Sequence, residues 1–320
     1  MIFQLAQKVL PWIITPGLLI FLWFRVDGAQ ALARLGDLHP GWLIAGVLLA
    51  SGQVVLSALR WRLTARHVGI TISKGWSIRE YFLGTLLNQL LPGGVGGDLF
   101  RAWRHGRKDH REQSRTGFFP SLRVVMIERS AGYLALLPFA AAGAYLWVPK
   151  PWNLVAGTLL LAVLGVLVVL PFQVRHLVLF RGLSVFFMEL RTALLVRGVW
   201  ERQLFLSLLI LASYVLVFAC SAYALQVPMA PLFLVTAVPL VLLSMAVPFT
   251  IAGWGVREVA TVGLWGLSGH SIEEGLAVSI GYGLLVLLGA LPGALVLLID
   301  AGVRRQERRS RSNKTSLPMR

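Results

Sequence analysis

A chain of 320 residues that is 57% hydrophobic and only 14% charged is not an ordinary soluble globule, because soluble domains carry about 25% charged residues. Its charge is lopsided, with 30 Lys and Arg (25 of them Arg) against 14 Asp and Glu, a net +16. Disorder and a disulfide scaffold are excluded, the latter because Cys220 is the one cysteine, and a polytopic membrane protein with one basic side remains.

A helix crossing a bilayer core about 30 Å thick needs roughly 20 apolar residues. Stretches of suitable length run from Val9 to Phe24, Gly41 to Leu59, Val124 to Val148, Leu154 to Phe172, Leu204 to Leu225, Met229 to Val247 and Gly275 to Ile299. After the first, Ala29-Gln30-Ala31 looks like a signal cleavage site. Arg25 and Asp27 interrupt the approach and Lys8 is a thin basic start, so an uncleaved anchor helix is expected. Two more apolar stretches, Tyr81 to Gly97 and Pro248 to Leu267, are broken by Pro and Gly.

Arginine sorts the connections. Arg60, Arg62, Arg66 and Arg79 precede the first broken stretch, and Arg101, Arg104, Arg107, Arg111 and Arg115 follow it. Arg175 to Arg202 and the tail after Asp300 are also basic, whereas the connections at 149–151, 226–228 and 268–274 hold one Lys and two Glu. The positive-inside rule puts both termini and the Arg-rich segments in the cytoplasm. Tyr81 to Gly97 must then be re-entrant, and Pro248 to Leu267 is expected to cross as a broken helix. The predicted fold is an all-α polytopic membrane bundle of about eight transmembrane helices. Residues 1–303 form one transmembrane domain, and 304–320 a basic, disordered tail near anionic lipid.

The first broken stretch contains Asn88, then Pro92, Gly93, Gly94, Gly96 and Gly97, then Asp98 and Arg101. Proline ends the helix before it, and irregular backbone at membrane depth is tolerated only against protein or water. Exposed amides there, with a helix starting at Asp98, describe an anion site. Arg101, Arg104, Lys108, Arg111 and Arg115 recur at 3-4-3-4 spacing on one helix face, and the guanidinium fork suits phosphate oxygens. The distal members, from Lys108 onward, read first as a positive-inside loop on anionic lipid headgroups.

The second stretch has Pro248, Gly253 and Gly255, then Arg257 and Glu258, after 54 residues (203–256) without a charge. Charges in a span cost at least about 2.5–3.5 kcal/mol each, so these two face a cavity or form a structural ion pair. Glu128 and Arg129 open a third apolar stretch. Arg60-Trp61-Arg62 reads as an interfacial anchor. Both broken stretches run from a proline through five residues to a glycine and then to charges, which points to an internal repeat with a binding site at its interface.

No Lys-Ser/Thr follows the glycines and Leu99 replaces the third glycine of the dinucleotide fingerprint, so both soluble phosphate-loop patterns fail. The six histidines have no ligand spacing and no nucleophile–base set can be assembled. No catalytic residue, metal or cofactor is expected. Membrane lipids are the expected partners, with lipid-biosynthesis enzymes as a further set, and not nucleic acid.

Leu-Pro-Gly-Gly-x-Gly-Gly-Asp-x-x-Arg at 91–101, Arg60-Trp61-Arg62, Glu128-Arg129 and Pro-x-x-x-x-Gly-x-Gly-x-Arg-Glu at 248–258 together resemble the lysylphosphatidylglycerol synthase transmembrane, or flippase-like, family. That family includes the membrane half of the bacterial multiple peptide resistance factor. The resemblance covers nearly the whole chain. It implies an eight-span bundle with re-entrant elements that moves or handles lipids, with 92–98, Arg101, Arg257 and Glu258 along the lipid path. It does not imply aminoacyl transfer, which in the synthases belongs to a separate cytosolic domain, and only a basic tail follows residue 303 here.

Three functions stay open on the sequence. One is a translocase passing an anionic headgroup from Gly93–Asp98 and Arg101 along Glu128, Arg129, Arg257 and Glu258, with Asp98, Glu128 and Glu258 as proton carriers. The second is a non-transporting accessory that binds a lipid intermediate for a lipid, hopanoid or glycan-lipid pathway. The third is a headgroup transferase.

Overall fold

In the computed structural model the described residues are 2–36, 38–108, 117–173, 181–227, 229–246 and 250–302, and helices account for most of them. The tail beyond residue 303, Pro248, Arg111 and Arg115 lie outside them. Four helices are long enough to cross: α3 (Pro40–His67), α6 (Phe118–Trp147), α7 (Trp152–Gln173) and α9 (Trp200–Ala224). The last helix, α12 (Ile272–Ala290), is a fifth, since its helical segment continues to Gly302. At the start, α1 (Ile2–Arg25) meets α2 (Gly28–Arg34) at 94°, which makes a sixth span if the pair counts as one. That bend has a local cause, because Asp27 caps α2 by accepting from the Gln30 N–H at 3.0 Å.

The remaining apolar segments form two hairpins. The first joins α4 (Lys74–Leu90) to α5 (Gly96–Lys108), and the second joins α10 (Pro231–Ser244) to α11 (Val256–Leu267). Each returns to the end of the bundle from which it enters. At the mouth of the first, the Trp76 and His105 rings lie 5.3 Å apart; at the mouth of the second, Phe233 and His270 lie 6.1 Å apart. The first hairpin is the expected re-entrant element. The second corrects the expectation that Met229 to Val247 and Pro248 to Leu267 are two crossings. Helices of 14 and 12 residues rise only about 21 and 18 Å, short of a core about 30 Å thick. Among the described residues, five helices, or six spans if the bent pair counts as one, are long and apolar enough to cross, with two hairpins, in place of about eight crossings.

The hairpins enter from opposite ends. α3 runs from His39, whose amide donates to Ala224 O at the end of α9, towards the mouth of the first hairpin. α9 runs the other way, from Gln203 beside Thr64 near the end of α3. Each half is a long helix, a hairpin and a second long helix, namely α3, α4–α5, α6 and α9, α10–α11, α12 in opposed directions. The internal repeat suspected in the sequence is thus an inverted one. Beside the first half α8 (Arg181–Leu194) packs through Leu190, Ala193 and Leu194 on Ile127 and Ala131 of α6. Around the second half a buried aromatic cluster of Phe218, Phe233, Trp265 and Tyr282 joins α9, α10, α11 and α12.

Among the described residues, the basic helix ends around Arg66, Arg79, Arg104 and Arg197 gather at one end. There Asp300 pairs with Arg79 of α4 and with Arg104 of α5 (2.6 Å), tying the first hairpin to the end of the last helix. Arg79 is partly exposed, so the pairing is screened. Asp300→Asn is expected to lower stability by about 0.5–1 kcal/mol at low salt and by less as salt rises. Thermal unfolding in detergent at two salt concentrations checks this, and an equal loss at both contradicts it.

Candidate functional site

The tips of the two hairpins meet inside the bundle. Pro92 and Ile251 form an isolated antiparallel bridge, and the Gly93 amide donates to Thr250 O at 3.0 Å. The Ile251 amide in turn donates to Thr15 Oγ1 of α1 at 2.9 Å. Helix breaks at membrane depth free amides and carbonyls that lipid cannot satisfy, so each tip supplies partners for the other. Gly93 and Gly253 turn the chain at φ of +81° and +79°, a region that costs a residue with a Cβ.

The first loop's amides are largely engaged within the protein. The Gly97 amide donates to Asn88 Oδ1 at 2.8 Å, and those of Asp98 and Leu99 donate to Val95 O, both at 3.1 Å. In the second loop the Gly255 amide donates to Glu258 Oε2 at 2.6 Å. The cationic groups nearest this loop are the guanidinium groups around it.

Those groups form one connected network. Glu128 of α6 is fully buried and accepts from Arg60 Nη2 at 2.6 Å, from Arg101 Nη2 at 3.5 Å and from Tyr81 Oη at 3.2 Å. Asp98 accepts from Arg101 at 3.0 Å, from Asn88 Nδ2 at 3.2 Å and from Arg129. Arg129 also donates to Gly94 O at 3.2 Å, which fixes the loop to α6. The Arg101 guanidinium lies between the Trp61 and Tyr81 rings, 4.4 and 4.2 Å from their centroids, an arrangement that lowers the cost of burying the cation. Its Nε and Nη1 are buried without an acceptor.

Arg257 and Glu258 make a second, self-contained cluster. Arg257 Nε donates to Glu258 Oε1 at 3.0 Å and to Ser279 Oγ at 3.1 Å, beside the Trp254 and Tyr282 rings. The structural ion pair considered for these residues is present, yet Arg257 also lines the same cavity of about 330 Å³ as Arg60, Arg101, Arg129, Asp98 and Glu128. Asn88, Gly93 and Gly94 line it too. Pro92, Gly96, Gly97, Gly253 and Gly255 shape the two tips around it.

Sequence reasoning missed three members. Arg60 was read as part of an interfacial anchor after a helix ending at Leu59, but α3 continues to His67 and carries Arg60 about two turns inside its end. Arg60 and Trp61 are consequently buried. Tyr81 carried no signal beyond its apolar segment. Likewise α6 starts at Phe118, so Glu128 and Arg129 sit well within a span. The available signal was spacing: Arg60 lies four residues before Thr64, and both face α9, where Ser207 accepts from Arg60 at 3.1 Å and Gln203 donates to Thr64 at 3.0 Å.

No curated protein and no solved structure matches the chain significantly. The family model described as the lysylphosphatidylglycerol synthase TM region matches residues 9–293, which takes in both hairpins, the buried network and every span up to α12. With multiple apolar spans and that match over most of its length, the chain is a multi-pass membrane protein belonging to the lysylphosphatidylglycerol synthase TM region family.

Proposed function

We propose that the protein is a lipid translocase-like protein of a bacterial or archaeal inner membrane, with both termini cytoplasmic, which receives an anionic lipid headgroup in the cavity between the hairpin tips. The observation that carries this reading is Arg101. It is a fully buried cation with two nitrogens lacking acceptors, and it lines the cavity beside the hairpin tips. Unsatisfied buried donors are costly, by about 1–3 kcal/mol each and more when charged, so they mark where a ligand's acceptors belong. The inverted repeat supports movement as well as binding, because two opposed hairpins with a shared site can expose it to either side in turn. No covalent step is assigned to the protein. Asp98 and Glu128 are the acidic groups through which an ion gradient would couple.

Reconstitution in liposomes with headgroup-labelled anionic lipids tests this. Leaflet exchange well above that of protein-free vesicles is expected, and Arg101→Gln should slow it by about tenfold or more, since it removes the charge and the unmatched donors together. Exchange that stays at the protein-free level under every gradient, with folded protein, refutes the proposal.

A further inference from the structure

The charges around the cavity do not cancel. Among the described residues four guanidinium groups line it, those of Arg60, Arg101, Arg129 and Arg257. Three carboxylates pair with them. Glu128 takes Arg60 and reaches Arg101, Asp98 takes Arg101 and Arg129, and Glu258 takes Arg257. Glu258 is wholly occupied, bonding Arg257 and Ser279 through one oxygen and the Gly255 amide through the other. One positive charge is left over, and the unmatched donors lie on Arg101, the member shared between two carboxylates.

An uncompensated charge at this depth is expensive, and it is relieved by a ligand of equal and opposite charge. We infer that the cavity selects a lipid whose headgroup carries a single net negative charge, a phosphodiester without amines, and discriminates against aminoacylated headgroups. This inference rests on the lipid-handling reading above and fixes its substrate class. A zwitterionic headgroup leaves the surplus in place. A lysyl-bearing headgroup, with one phosphodiester and two ammonium groups, adds to it. A phosphomonoester charged twice overshoots it. Selectivity built on repulsion of this kind is as effective as an added attractive contact.

Arg129 offers the means to test the balance, because at 37% its side chain is the most exposed of the four, and Arg129→Lys separates loss of charge from loss of its bonds to Asp98 and Gly94 O. Full-length protein is incubated in detergent with an equimolar, chain-matched mixture of phosphatidylglycerol, phosphatidic acid, phosphatidylcholine and lysylphosphatidylglycerol. Retained lipid is extracted and quantified by mass spectrometry, and leaflet exchange of each lipid is followed in vesicles. Wild-type protein is expected to favour phosphatidylglycerol over the zwitterionic and lysylated lipids by about tenfold or more. Arg129→Gln, which makes the cavity neutral, should bring phosphatidylcholine to near parity, whereas Arg129→Lys, which keeps the charge, should preserve the preference.

Lipid that is retained and exchanged without regard to headgroup charge overturns the inference and leaves the lipid-handling reading intact. A phosphatidylglycerol preference unchanged in Arg129→Gln also overturns it, since the preference then belongs to the basic end of the bundle. Absence of both retention and exchange in folded wild-type protein removes the two together.

Discussion

Gly97→Ala is expected to prevent the first hairpin from closing. An added Cβ at this position would stand 1.9 Å from Gly84 O and 2.7 Å from Gly84 C, both backbone atoms, and 2.9 Å from Asn88 Oδ1. Backbone cannot rotate away as a side-chain end can, so α4 and α5 must separate. That separation would break the Asn88 contacts to Gly97 and Asp98 and move Arg101 from between its two rings. Overpacking of this severity costs about 3 kcal/mol, which shows as a large fall in the thermal midpoint in detergent and loss of leaflet exchange. Gly52→Ala is the companion measurement. Gly52 lies within α3 with nothing within 4 Å of an added Cβ, so alanine there should be neutral or stabilise by up to about 1 kcal/mol. Equal effects of the two substitutions would refute the close approach of α4 and α5.

Glu128→Ala carries the second large expectation. Glu128 is the acceptor that Arg60, Arg101 and Tyr81 share, and it sits on a long helix that touches the first hairpin, α8 and the second hairpin's α10. Truncating it leaves two buried guanidinium groups short of a counter-charge, and breaking a buried pair in this way costs about 3–5 kcal/mol. Glu128→Gln keeps the shape and removes only the charge, so it should fall between wild type and alanine. Because Arg60 loses its partner in either variant, Arg60→Gln added to Glu128→Gln should cost much less than the sum of the single changes. Additive losses, measured by thermal unfolding, would mean that the two side chains do not share an interaction.

Much of the site was legible in the linear order of residues. Asp98, Arg101, Arg257 and Glu258 stood out because charges within apolar stretches are costly, and both glycine-rich breaks stood out because membrane helices seldom end inside the bilayer. All four charges are buried beside the meeting tips. The second hairpin was misjudged, although a cue existed. If α10 and α11 both crossed, the connection at 245–255 would lie at the basic end, yet it has no Lys or Arg. Hydropathy overlooked that cue, because two short apolar helices in succession sum to the same apolar length as two full crossings.

The sequence by itself determined that this is a multi-span helical membrane protein, which connections share an end, and which two segments break. Each of these follows from local quantities, namely apolar length, loop charge, and the backbone limits of proline and glycine. Only the tertiary structure decided that the two breaks touch, that Arg60 joins Glu128 across 68 positions, and that four guanidinium groups share a cavity with too few carboxylates. Those outcomes depend on which helix faces pack together. A period of 3.6 residues assigns faces within one helix, but an all-apolar helix leaves open which neighbour each face will meet. The charge imbalance at the cavity is therefore a property of the packing: +16 is spread along the chain, and the excess of guanidinium over carboxylate groups emerges among the described residues only when α3, α5, α6 and α11 are brought together.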